Sequence, residues 1–153
     1  MEKINWGRLI LGSLVAAIIM FFTDGFMHEA ILKADWSAVY QGLSAAEPQR
    51  HSVAMAMVYF AIFELGRGFI AMMFYVTMRA LFGAGPKTAV LAGVVAWIAF
   101  SLAGPAQFIP LGFFSNALWL KAGAIHLVTT ILATIAGAAL YKDARSTYAE
   151  GVS

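Results

Sequence analysis

Glu64 and Arg67 stand three residues apart in the stretch Tyr59-Phe60-Ala61-Ile62-Phe63-Glu64-Leu65-Gly66-Arg67-Gly68-Phe69-Ile70, midway along an apolar segment of about 27 residues. On a helix, that spacing turns a carboxylate and a guanidinium to the same side. Ionisable groups at membrane depth are costly, so they face a bundle interior and find partners there. Three other groups are candidates to join them. Asp24 and His28 lie one helical turn apart near the end of the first apolar segment, and His126 lies in the last one. Thr130 and Thr134 continue the polar line from His126 at i+4 and i+8.

Depth along each segment, at about 1.5 Å per residue, tests whether these groups can meet. Counted from an outer surface near Ser52, Ser115 and Leu32, Glu64 lies roughly 18 Å deep, Arg67 roughly 22 Å, His126 roughly 16 Å and Asp24 roughly 12 Å. Asp24, His28, Glu64, Arg67 and His126 therefore fit one outward-opening polar pocket to which three helices contribute. Such a pocket could bind or pass a small polar or ionic solute. Each residue also has a plainer reading. Glu64 with Arg67 fits a purely structural ion pair that fixes helix register. Asp24 and His28 fit a helix end in wet headgroups, and His126 fits a hydrogen-bonded core histidine. Lys121 fits a side chain that snorkels outward.

Other chemistries have weaker support. Carboxylates and imidazoles at Asp24, His28, Glu64 and His126 suit Zn, Mn or Fe. The chain has no Glu-x-x-His or His-Glu-x-x-His, however, and Arg67 competes for the Glu64 carboxylate. His51 with Met55 has the residue types of a copper site, but methionine is common in apolar helices. No Gly-rich phosphate loop or nucleophile elbow is present. No catalytic residue and no metal ligand is assigned, and the cofactor is unknown. A haem, quinone or metal-binding membrane protein that uses His28 and His126 is one alternative.

These residues need elements that hold them at depth. Of 153 residues, 61% are apolar and 12% are Asp, Glu, Lys or Arg, against about 45–50% and about 25% in soluble domains. That balance points to the membrane class, and the formal charge of +2, without a basic run, gives no reason to expect nucleic acid. The absence of cysteine removes disulfides, thiolate metal sites and cysteine nucleophiles. Four apolar segments, at about 6–32, 52–78, 87–109 and 115–141, reach the roughly 17–25 residues a spanning helix needs. The third becomes irregular after residue 103. The first could pass for a signal peptide, but it runs on through bulky residues without a small-x-small cleavage signal, which predicts a retained helix.

Orientation follows from Lys and Arg in the connections. Lys3, Arg8, Arg79, Lys87, Lys142 and Arg145 fall on one side, with only Lys33 and Arg50 on the other. Both termini are therefore expected in the cytoplasm. Trp6, Tyr75 and Tyr141 would mark the inner interface and Trp36, Tyr40 and Trp119 the outer one, with Trp97 packed between helices. The connection after the first segment predicts a short amphipathic helix over 34–43, capped by Asp35 and stopped by Gly42, with Trp36, Val39, Tyr40 and Leu43 laid on the bilayer surface. Ser44 to Glu47 has the form of a capping box that Pro48 cuts short. The connection from Gly104 to Gly112 is either folded over the outer mouth or a plain interfacial loop. Gly12 with Ala16, and Ala133 with Gly137, predict close helix crossings.

The end of the first segment, Gly25-Phe26-Met27-His28-Glu29-Ala30-Ile31-Leu32-Lys33-Ala34-Asp35-Trp36, resembles a group of small bacterial four-helix membrane proteins catalogued as a domain of unknown function. Those proteins have a Gly, an aromatic pair, a Leu-Phe and a closing Trp at similar spacing, and a short outer segment follows, as Gly42 to Glu47 does here. The stretch from Leu111 to Tyr141 is similar in style. Met27-His28 departs from the usual aromatic pair, and Glu64 with Arg67 has no counterpart in the pattern. The resemblance implies a four-helix layout in a bacterial inner membrane and no activity.

The sequence thus predicts an all-α, four-transmembrane-helix bundle, N-in and C-in, as a single integral membrane domain. The expected function is a polar pocket for a small polar or ionic solute. The alternatives are a structural or accessory subunit and the cofactor binder named above. The expected partners are the lipid bilayer and either further copies of the chain or a larger membrane complex. A chain this short builds an alternating-access transporter only as an oligomer or through an internal repeat, and no repeat relates its two halves.

Overall fold

The computed structural model describes residues 4–46 and 53–142, and every regular element among them is helical. Helix α1 (Trp6–Phe26) continues into a single π turn (Met27–Ile31), and α2 (Lys33–Ala46) follows at once. Helix α3 (Val53–Phe82) is the longest. Helix α4 (Pro86–Trp97) passes into a second π turn (Ile98–Ala103) and a three-residue α5 (Gly104–Ala106). Helix α6 (Asn116–Ala139) ends the bundle. Four stretches, Trp6–Ile31, Val53–Phe82, Pro86–Ala106 and Asn116–Ala139, are long and apolar enough to cross a membrane. The architecture is that of a multi-pass membrane protein.

Local chemistry sets the helix ends. The Asn5 side chain accepts from the Arg8 N–H at 3.2 Å, and Ser115 accepts from Leu118 at 3.1 Å, so both caps satisfy first-turn donors. Between α3 and α4, Gly83 (φ 82°) and Gly85 (φ 139°) take left-handed backbone, and Pro86 then opens α4. The expected stop of the second span at residue 78 moves to Phe82, because Ala80, Leu81 and Phe82 prolong the apolar helix until Gly83 ends it.

The spans form a ring in the order α1, α3, α4, α6. Its packing inverts the soluble pattern. Ile10, Leu14, Ile18 and Phe22 of α1 face outward, while Gly12, Ser13, Ala16 and Ala17 are buried. Small residues let backbones approach closely, and the large apolar ones are left to the lipid. The crossing expected at Gly12 and Gly137 is present. A Cβ on Gly137 would stand 2.5 Å from the Gly12 carbonyl oxygen, and one on Gly12 would stand 2.6 Å from the Gly137 oxygen.

The two ends of the bundle differ. At the end that holds the termini, Tyr141 accepts from the Asn5 N–H at 3.2 Å, its ring meets Tyr75 at 6.2 Å, and the Arg79 guanidinium lies 5.1 Å over it. At the other end, α2 starts at Lys33, so Asp35 falls inside its first turn rather than at its cap, and the helix runs through Gly42 to Ala46. Its Trp36 and Val39 pack on Met27, Leu32, Leu118 and Ala122. Those two residues of the face therefore cover the end of the bundle, while Tyr40 stays half exposed. The apparent capping box at Ser44–Glu47 reaches into residues 47–52, beyond the described ones, as does the His51 of the copper reading.

Candidate functional site

Arg67 projects from α3 into the centre of the ring, and its side chain is 4% exposed. Nη1 donates to Asp24 Oδ2 of α1 at 2.5 Å and lies 2.8 and 3.0 Å from Glu64 Oε1 and Oε2. Nη2 donates to Ser101 Oγ of the second π turn at 3.4 Å and to Thr130 Oγ1 of α6 at 3.3 Å. One guanidinium therefore ties together all four spans. Charge-assisted bonds of this kind are stronger than neutral ones. Buried between helices, they also fix the rotation of each helix about its axis.

Helix spacing explains the placement. Glu64, Arg67, Gly68, Ala71, Met72 and Tyr75 form the buried stripe of α3. Gly68 lets α1 approach directly below the charges, because a Cβ there would meet the Ser13 oxygen at 2.5 Å and the Ala17 nitrogen at 2.8 Å. With α1 held that close, Asp24, two turns on from Ala17, reaches Arg67. The Thr134 hydroxyl donates to the Thr130 carbonyl at 2.7 Å. Above Arg67, the Phe63 ring presents its face 5.8 Å from the guanidinium carbon.

Two polar atoms of the cluster have no hydrogen-bond partner among the described residues. Asp24 Oδ1 and His126 Nε2 are both buried and unpaired. His126 Nε2 approaches Asp24 Oδ2 to 3.4 Å, within reach for charge attraction, but without hydrogen-bond alignment. The side chains are 17% and 14% exposed. An unpaired buried polar atom costs about 1–3 kcal/mol, so two of them side by side mark a place where another donor or proton would be favoured.

Four of the five residues singled out in the sequence converge here, namely Asp24, Glu64, Arg67 and His126. His28 stands outside the bonded set. Its ring stacks on Trp36 at 4.5 Å with 14° between planes, and Trp36 in turn stacks on Tyr40 at 5.9 Å. Ser101 is the functional group that sequence reasoning missed. Its only signal was that it is the lone hydroxyl between Trp97 and Gly104. Among the described residues, no three His, Asp or Glu side chains are grouped to hold a metal ion.

A separate cavity of about 930 Å³ opens at the α2 end, between Ala34, Ala38 and Gly42 of α2 and the loop from Leu111 to Ser115. None of the five candidate residues lines it. The loop leaves Leu111 and Phe113 exposed, as an interfacial loop does. Lys121 does not snorkel alone, because it pairs with Asp35 at 3.0 Å beside this groove. Trp97 does pack between helices, donating to the Gly123 carbonyl at 2.7 Å, and Trp119 donates to the Leu102 carbonyl at 3.1 Å.

No family model, no curated protein and no solved structure matches this chain.

Proposed function

We propose that this is a small bacterial inner-membrane protein that binds or passes a small polar or ionic solute at the Asp24–Glu64–Arg67–His126 cluster. The observation that carries this reading is the pair of buried, unpartnered atoms, Asp24 Oδ1 and His126 Nε2, inside an otherwise fully bonded charged layer. A layer whose only task was to lock the helices would gain by pairing them. The six-to-two distribution of Lys and Arg supports cytoplasmic termini, which puts α2 and the groove on the outer face.

A second reading has its own observation. Between Val53 and Phe63 no residue of α3 is fully buried, so three turns above the cluster keep much of their surface accessible. An accessory subunit of a membrane complex, or one copy in a homo-oligomer, would use that surface. The charged layer would then serve only as a structural clasp.

Glu64→Gln separates the two. The purified variant and the wild type are compared by elution volume and by flux of H⁺, Na⁺, K⁺ and Cl⁻ into liposomes carrying ion-sensitive dyes. A solute site gives a folded variant with altered flux. A clasp gives a variant that fails to fold or assemble, or a folded one with flux unchanged. An absorbance spectrum and metal analysis of the same wild-type sample test the cofactor reading directly.

A further inference from the structure

The charged layer holds two carboxylates and one guanidinium. Nη1 of Arg67 lies within bonding distance of oxygens from both acids, so Asp24 and Glu64 are held against each other as well as against their shared cation. With both acids ionised, the layer carries one excess negative charge, and none of its three side chains is more than 14% exposed. An uncompensated charge at membrane depth costs several kcal/mol.

Among the described residues, the groups facing the layer offer no second permanent cation to cancel that charge. From α1 and its π turn come Asp24 and His28, and from α3 come Glu64 and Arg67. From the second π turn comes Ser101, and from α6 come His126 and Thr130. His28 is engaged by the Trp36 ring. Arg67 already spends Nη1 on the acids and Nη2 on the two hydroxyls. A metal ion would need several ligands converging on one point, and the described residues group no such set. A proton needs only one oxygen and a neighbour that can receive it.

We propose that the Asp24–Glu64 pair carries one exchangeable proton and that His126 Nε2 is the group that accepts it when it leaves. The inference rests on the reading of the cluster as a solute site, and it names that solute as the proton. In the transfer step a carboxyl O–H bond of the pair breaks at Asp24 Oδ2, the oxygen nearest the ring, and its electron pair stays there. The imidazole turns into line and an N–H bond forms on Nε2, which stands 3.4 Å from that oxygen. The products are a carboxylate and an imidazolium side by side, so the layer's total charge is unchanged. Loss of that proton from the imidazolium to water, and uptake of another by the carboxylate pair, restores the start. Arg67 stays fixed throughout as the permanent cation, held by Ser101 and Thr130.

The test is infrared spectroscopy of the full-length protein in lipid nanodiscs. Exposed Asp and Glu titrate near about 3.9 and 4.3, so they are ionised at neutral pH and give no carboxylic-acid band there. The wild type is expected to show one such band at neutral pH that disappears as the pH is raised. Carboxyl-¹³C labelling of aspartate in the unsubstituted protein, or Glu64→Gln, assigns the band to one acid or the other. Labelling needs no variant to fold. His126→Phe is expected to keep the band but slow its hydrogen–deuterium exchange by about a hundredfold. A folded wild type without the band overturns the proposal, even if liposomes show ion flux, in which case the site binds something else. The band with no flux of any kind keeps the proton and sinks the solute-passing reading instead. Unchanged exchange in His126→Phe removes His126 from the path.

Discussion

Two adjacent layers of this bundle solve the problem of holding four helices together in opposite ways. In one, Gly12 meets Gly137, and Gly68 meets Ser13 and Ala17, with no room for even a methyl group. In the other, one residue earlier along α3, Arg67 bonds to side chains from every span, and two buried polar atoms stay unpaired. The close-packed layer has a single arrangement. The charged layer has bonding capacity left over. The first makes the second possible, because charges can be buried in hydrocarbon only where the backbones that carry them cannot move apart. Close packing and buried charge thus occupy neighbouring turns of the same helices, and the difference can be broken experimentally from either side.

The largest effect is expected from breaking the charged layer on one side only. Arg67→Leu leaves Asp24 and Glu64 buried with no cation, which costs about 3–5 kcal/mol when one partner of a buried pair is removed. Unfolding of the purified variant in detergent, followed by circular dichroism, reads this loss. Replacing all three together, as Asp24→Leu, Glu64→Met and Arg67→Met, removes the charges with their partners. The triple variant is expected to recover most of the loss, since apolar substitution of an entire buried ionic group is often neutral or stabilising. Were the triple variant as unstable as Arg67→Leu, the charged layer would be holding the fold together, and the division of labour would be wrong.

The close-packed layer comes next. In Gly68→Ala the new Cβ meets backbone atoms of α1, which cannot rotate aside as a side chain would. Overpacking of this kind costs about 1–3 kcal/mol. It should also loosen the Asp24–Arg67 bond, because α1 must retreat as a unit. The infrared spectrum of the arginine side chain would report that loosening without reference to stability. At the termini end, Tyr141→Phe removes the acceptor for the Asn5 N–H but keeps the ring beside Tyr75 and Arg79. Its expected cost is about 0.5–1.5 kcal/mol, with flux through the cluster unchanged.

Much of this was legible in the residue order. Span positions follow from apolar length, and counting depth at a fixed rise brought Asp24, Glu64, Arg67 and His126 to within about 10 Å of one another, a gap that long side chains close, because all four sit in straight α-helix. The count did not foresee the π turns. Bonding such as Leu32 N–H to Met27 O at 2.8 Å changes the angle per residue, and no side chain there announces it. Ser101 lies in the other π turn and was hidden the same way. How much of the α2 face meets protein was not legible, because an amphipathic face looks the same whether it meets lipid or protein. The position of Leu118 and Ala122 beneath Trp36 and Val39 decides it for those two residues.

The smallest effect expected is also the most informative about partners. Gly66 lies two residues before Gly68 on the opposite face of α3, and a Cβ there would meet nothing within 4 Å. Glycine inside a helix costs roughly 0.5–1 kcal/mol relative to alanine. In a membrane the denatured chain keeps much of its helix, so Gly66→Ala should stabilise the protein by the lower end of that range or less. The contrast with Gly68→Ala is then a difference in sign between substitutions two positions apart. If Gly66→Ala destabilises instead, or shifts the elution volume, the outward face of α3 is covered in the membrane by something the single chain does not contain. The accessible turns from Val53 to Phe63 would become a protein interface rather than a lipid-facing surface, and the accessory reading would gain its first direct support. A stabilised variant with unchanged assembly would leave that face to lipid and put the burden of function on the charged layer alone.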